Sequence, residues 1–148
     1  MRVKLKKLIA EDTVYEVAYF KVAGIPEINE KYGRAIGNMM LGHYISLIKE
    51  KFLTDNSIYR LSGLEFVAII SNYNKMQTLK SYLNQDERIL HVSANYADKV
   101  IELNVYMGLA LSNDTAFSKD ALANAKTALR VSESAQYKSN FAYYRDIR

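Results

Sequence analysis

Cysteine and tryptophan are absent, proline occurs once, and histidine only twice, at His43 and His91. Without cysteine there is neither a disulfide framework nor a thiolate metal site. Two scattered histidines do not furnish a histidine-rich zinc site either. No apolar run reaches membrane-spanning length, and no secretory signal pattern follows Met1. A soluble protein of a reducing, cytoplasmic compartment is the expectation. Glycine is sparse as well, with six residues, and no linker, repeat or low-complexity segment interrupts the chain. Its 148 residues, 49% of them hydrophobic, suffice for one domain with a sizeable core.

A large excess of either charge is lacking too, since the net charge is only +4. The densest basic cluster is "MRVKLKKL", where Arg2, Lys4, Lys6 and Lys7 alternate with apolar residues. It reads as a helical lead-in over residues 1–13 with a solvated face, ahead of a core over 14–148. Tyrosine is plentiful, at 12 residues, yet no strand interleaves aromatics with Arg or Lys as a base-stacking platform would. The aromatic pattern of an RNA-recognition module is missing as well, so a nucleic-acid partner is not expected.

What is present is a regular alternation of strand and helix patterns. "VYEVAYFKVAG" (Val14–Gly24) is β-rich and apolar, as in a buried strand. Pro26 opens a short helix to about Tyr32, which Gly33 ends. Ile36, Met40, Tyr44, Leu47, Ile48 and Phe52 recur at helical spacing, predicting a long helix from about Arg34 to Leu53. A hairpin follows over Ile58–Ile70, then a helix in "NKMQTLKSYLN" with Met76, Leu79 and Leu83 on one face. Two more strands turn near Ala97–Asp98, and a last helix spans about Ser118 to Ser134 with Ser118 as N-cap. "FAYYRDI" reads as a terminal strand. The order predicts an α/β (α+β) fold with a central, mostly antiparallel five-stranded sheet flanked by helices.

Two stretches carry more than fold. "IPEINEKYGRAIGN" (Ile25–Asn38) is followed by "YRLSGLEFVAII" (Tyr59–Ile70). Together they resemble the GGDEF domain of the diguanylate cyclases, which join two GTP molecules into cyclic di-GMP. That family carries D-x-D-x-F-K at a strand end, then I-N-D-x-Y-G-H-x-x-G-D, then R-x-G-G-D-E-F on a hairpin. "VYMGLAL" stands where the family has V-S-I-G-V, and "ALANAKTAL" resembles its A-D-x-A-L-Y helix. The resemblance covers nearly the whole chain from Val14 and lacks only the family's N-terminal D-x-L-T element. It implies the nucleotide-cyclase-palm fold.

The departures fall on the chemistry. The resemblance puts the family's first metal-binding Asp on Lys21, the second carboxylate of D-x-D on Ala23, and the third signature residue on Leu64. The signature becomes Ser62, Gly63, Leu64, Glu65, Phe66, so only Glu65 of the acidic set survives. Magnesium demands oxygen ligands, and phosphoryl transfer depends on positioning and charge neutralisation. The expectation is therefore no metal site, no catalytic residue and no cyclase activity. The family's phosphate-binding Lys positions are Pro26 and Glu133, the latter a charge reversal. Asn29 and Asn38 occupy guanine-reading positions and are the candidates for residual base contacts. The product-inhibition motif falls on Leu53–Asn56, "LTDN", without its Arg.

The reading is a degenerate GGDEF domain, a bacterial pseudoenzyme acting as a regulatory or protein-interaction module in cyclic-di-GMP signalling. No magnesium or GTP cofactor is expected. The alternative is a GTP-binding sensor without turnover. Partners implied are another protein or an adjacent EAL domain, with a homodimer left open. For Asn29 the plain alternative is a helix-end amide serving local backbone groups. Glu65 is expected to pair with Lys21 across neighbouring strands, and Arg34, Arg60, His43 and His91 to be non-catalytic.

Overall fold

β1 (Glu16–Ala23) is apolar on both sides: Val17, Phe20 and Val22 are wholly enclosed, and Ala18 and Tyr19 are buried. Such a strand belongs at the centre of a sheet covered on both faces. A computed structural model of the protein places it there and describes residues 6–7, 14–51, 58–85, 90–114 and 120–147. β1 pairs antiparallel with β3 (Glu65–Ile70) on one edge and with β5 (Lys99–Leu111) on the other. β2 (Ile58–Ser62) extends the sheet beyond β3, and β4 (His91–Tyr96) beyond β5, in the order β2-β3-β1-β5-β4.

The sheet has six strands rather than the five expected. β6 (Phe141–Tyr143) runs parallel to β5 over Met107–Leu109, beyond the stretch of β5 that β4 occupies. Only the first three residues of "FAYYRDI" are strand, since Tyr144–Ile147 turns helical as α5. The β4–β5 turn falls at Ala97–Asp98 as expected, both with positive φ, the geometry of a tight two-residue hairpin.

Three helices cover one face: α1 (Ile25–Tyr32), α2 (Arg34–Lys51) and α3 (Tyr73–Gln85). Their Ile28, Met40, Tyr44, Ile48, Leu79 and Leu83 close over Phe20, Phe66 and Leu103. Phe20 stacks on Phe66 at 5.5 Å between centroids and meets Tyr44 edge-on. On the opposite face α4 (Ala121–Glu133) lays Ala121, Ala125 and Leu129 over Tyr15, Val17, Tyr19, Val67 and Ile69. Small residues on α4 let it come close. A Cβ on Gly108 of β5 would collide with the Ala125 carbonyl oxygen and the Leu129 amide nitrogen.

α4 begins at Ala121 with Asp120 in the N-cap position and no side-chain cap bond; Ser118 lies outside the described residues. So do Phe52 and Leu53 at the expected end of α2, and the basic lead-in apart from Lys6 and Lys7, which are helical and exposed. Among the described residues no helix is long and apolar enough to cross a membrane.

Candidate functional site

One end of β1, the turn between β2 and β3, and the last turn of α4 converge. Side chains at paired strand positions point to the same face, and the β1–β3 register sets Lys21 opposite Glu65. The ladder continues one bond further, the Val22 amide donating to the Leu64 carbonyl at 3.0 Å. The signature turn is thereby fastened to the end of β1. Gly63 and Leu64 form its tip, and the β2–β3 register shifts between Arg60 and Ser62, leaving Leu61 as an extra residue. The Arg60 guanidinium donates to the Gly63 carbonyl (Nε at 2.8 Å) and lies over the Phe66 ring. Arg60 is thus exposed, as expected, but it braces the turn.

Lys21 and Glu65 sit where the α4-covered face runs out, and there the helix supplies partners. Lys21 Nζ lies 3.2 Å from Glu133 Oε2. Arg130 bridges two carboxylates, with NH1 at 2.8 Å from Glu133 Oε1 and NH2 at 3.2 Å from Glu65 Oε1. The Tyr19 hydroxyl bonds Glu65 as well; burial first, then the Glu65 charge and this bond, raise its pKa. The hydrogen bond that Arg130 donates to Glu133 is the largest influence raising the pKa of Arg130. The expected direct pair between Glu65 and Lys21 is therefore corrected: their register is as expected, but each takes its partner from α4. Two cations and two carboxylates balance in this quartet.

Of the positions flanking the quartet, only Leu64 packs on the core. Leu64 is half-buried against the main core, on the side away from Glu65. Ala23 ends β1 opposite Asn104. Ser62, Gly63 and Pro26 are exposed. Gly63 does not have a positive φ, and a Cβ there would meet open space, so neither conformation nor packing requires glycine.

Asn29 and Asn38 lie apart from the quartet on α1 and α2. Asn38 is exposed. The Asn29 amide is pressed against Gly37, where a Cβ would collide with Oδ1. That Oδ1 is enclosed and has no hydrogen-bond partner. The backbone of Asn29, not its side chain, serves the helix end: its carbonyl accepts from the Gly33 amide at 2.9 Å. His43 is exposed, and His91 Nδ1 lies 3.0 Å from Asn104 Oδ1. Leu53–Asn56 falls outside the described residues. Among the described residues no group of three or more His, Cys, Asp or Glu could hold a metal ion. Arg130 escaped the sequence reading, where its one signal is the i,i+3 spacing to Glu133, common on solvated helix faces.

The family model for "Diguanylate cyclase, GGDEF domain" matches residues 4–139. The chain belongs to the GGDEF family. A curated relative, the uncharacterized protein y4lL of Sinorhizobium fredii (strain NBRC 101917 / NGR234), is 27% identical over 119 residues, which are 80% of this chain and 14% of that protein. The GGDEF domain of DgcB from Caulobacter crescentus, solved in complex with c-di-GMP, superposes with a TM-score of 0.72 at 15% identity, over 97% of this chain and 87% of that one. An EAL/GGDEF domain protein from M. capsulatus gives 0.68 at 18% identity, over 95% and 93%. The diguanylate cyclase SiaD of Pseudomonas aeruginosa, in complex with its activator SiaC, gives 0.65 at 14% identity, over 88% and 50%. These likenesses establish that the chain has the fold of GGDEF domains. The family itself is one of diguanylate cyclases, which places the domain in cyclic-di-GMP signalling.

Proposed function

We propose that this GGDEF domain is a cytoplasmic pseudoenzyme, a regulatory and protein-interaction module that makes no cyclic di-GMP. The observation that carries the reading is the quartet of Lys21, Glu133, Arg130 and Glu65. A divalent cation at this end of β1 would need oxygen ligands and would meet the Lys21 ammonium, the Ala23 methyl and the Leu64 side chain instead. The residues present do not fit magnesium. Both carboxylates within reach already hold protein cations, and the balanced quartet offers a triphosphate no net attraction. Function then rests on surfaces, with an adjacent EAL domain or a separate protein as partner. The EAL/GGDEF protein and the SiaD–SiaC complex among its structural relatives are in keeping with that.

A second reading, a GTP sensor without turnover, has one observation in its favour. The enclosed Asn29 Oδ1 lacks a hydrogen-bond donor, and it stands at a base-reading position of the family. Calorimetric titration with GTP, with and without magnesium, and with cyclic di-GMP, separates the two. No heat with any nucleotide is expected. Micromolar GTP binding indifferent to magnesium and lost in Asn29→Ala would establish the sensor. Formation of cyclic di-GMP from GTP would overturn both.

A further inference from the structure

A carboxylate is buried at the opposite end of β1 from the quartet. Glu16, the first residue of the strand, is 5% exposed. Among the described residues no hydrogen bond or ion pair reaches it. It lines a cavity of about 170 Å³ bounded by β1, α3, the end of β5 and the β6–α5 junction. Lys80 and Gln77 enter from α3, Asn113 from beyond β5, and Tyr143 and Arg145 from the junction. The Tyr143 hydroxyl is enclosed and has no hydrogen-bond partner. The Arg145 guanidinium is parked over the Tyr143 ring, 4.8 Å from its centroid, rather than on Glu16. Met76 and Leu111 add apolar wall.

A carboxylate without a bonded partner at an enclosed strand position is destabilising unless something compensates it. Here Glu16, Lys80, Gln77, Asn113 and Arg145 border the same cavity, and the Asp114 carboxylate lies near enough to act on Glu16. A simple amine would satisfy Glu16 but face Lys80 and Arg145. A simple carboxylate or phosphate would satisfy those two cations but face Glu16. A molecule bearing both charges on a short frame can meet Glu16 and the two cations at once. The volume equals that of roughly six waters, enough for such a molecule with a short side chain. We propose that this cavity binds a small free amino acid, its ammonium group on the Glu16 carboxylate and its carboxylate toward Lys80 and Arg145. The Gln77 and Asn113 amides complete the hydrogen bonds.

The test is thermal unfolding of the full chain near neutral pH with glycine or L-alanine at millimolar concentration, against ethylamine and acetate at matched ionic strength. Saturable stabilisation by the amino acids is expected, at least tenfold weaker in Glu16→Gln and in Arg145→Ala. Glu16→Gln removes a buried charge and should fold, which keeps the comparison interpretable. Equal stabilisation by ethylamine or by acetate alone would replace the proposal with a simple cation or anion site. An undiminished response in Glu16→Gln would put the binding elsewhere. No response to any of the common amino acids would overturn the proposal outright.

Discussion

Replacing Glu16 by Gln should stabilise the ligand-free domain, by an amount that depends on pH. Burial pushes the Glu16 carboxyl up from 4.5 to about 7; Arg145 and Lys80 pull it back somewhat, and Asp114 adds to the rise. Tyr143 faces it too, its hydroxyl pushed up by burial and by the Glu16 charge. Below 4.5 the carboxyl is protonated in both folded and unfolded chains, and the substitution changes little. Between 4.5 and about 7 the unfolded chain releases the proton while the folded one holds it, so wild-type stability falls with rising pH. Above about 7 the loss is complete, and the distance between those two values corresponds to about 3 kcal/mol. A Gln amide carries no such penalty. Urea unfolding followed by tyrosine fluorescence suits a protein with 12 Tyr and no Trp. Glu16→Gln should unfold at a higher urea midpoint than wild type at about pH 8, with the advantage vanishing by about pH 4. A gain that does not vary with pH, or a loss at pH 8, would refute the reasoning.

Three further outcomes are expected. Gly108→Ala drives a methyl group into the α4 backbone and should cost on the order of 3 kcal/mol, read as a lowered urea midpoint. Gly63→Ala should leave stability within about 0.5 kcal/mol of wild type, because the turn has room for a side chain; a drop well beyond that would mean the turn geometry is misread. Arg130→Met removes the cation shared by Glu65 and Glu133, but its side chain is 45% exposed, so solvent screening should hold the loss to about 1 kcal/mol, smaller still in high salt. A larger, salt-independent loss would mean the quartet acts as a buried unit.

Periodicity made most of the fold legible. The apolar run from Tyr15, the helical spacing of Met40, Tyr44 and Ile48, and the turn at Ala97–Asp98 each state their structure locally. The terminal strand was legible in "FAYYRDI", but its parallel pairing with Met107–Leu109 was not, because that depends on a distant partner rather than on its own pattern. The site divides the same way. The register that sets Lys21 opposite Glu65 follows from strand alternation, whereas the arrival of Arg130 and Glu133 depends on how closely α4 approaches β5 at Gly108. Glu16 gave no signal at all. A single acid at the start of an apolar strand looks like a solvent-facing edge until α3 and the β6–α5 junction are seen to close over it.

Val14 and Arg145 line the same cavity. The polypeptide thus enters β1 and leaves through α5 at a single joint, while the signature turn lies at the far end of the strand. A ligand held between Val14 and Arg145 would tie the incoming and outgoing connections together at the end of β1 away from the signature turn.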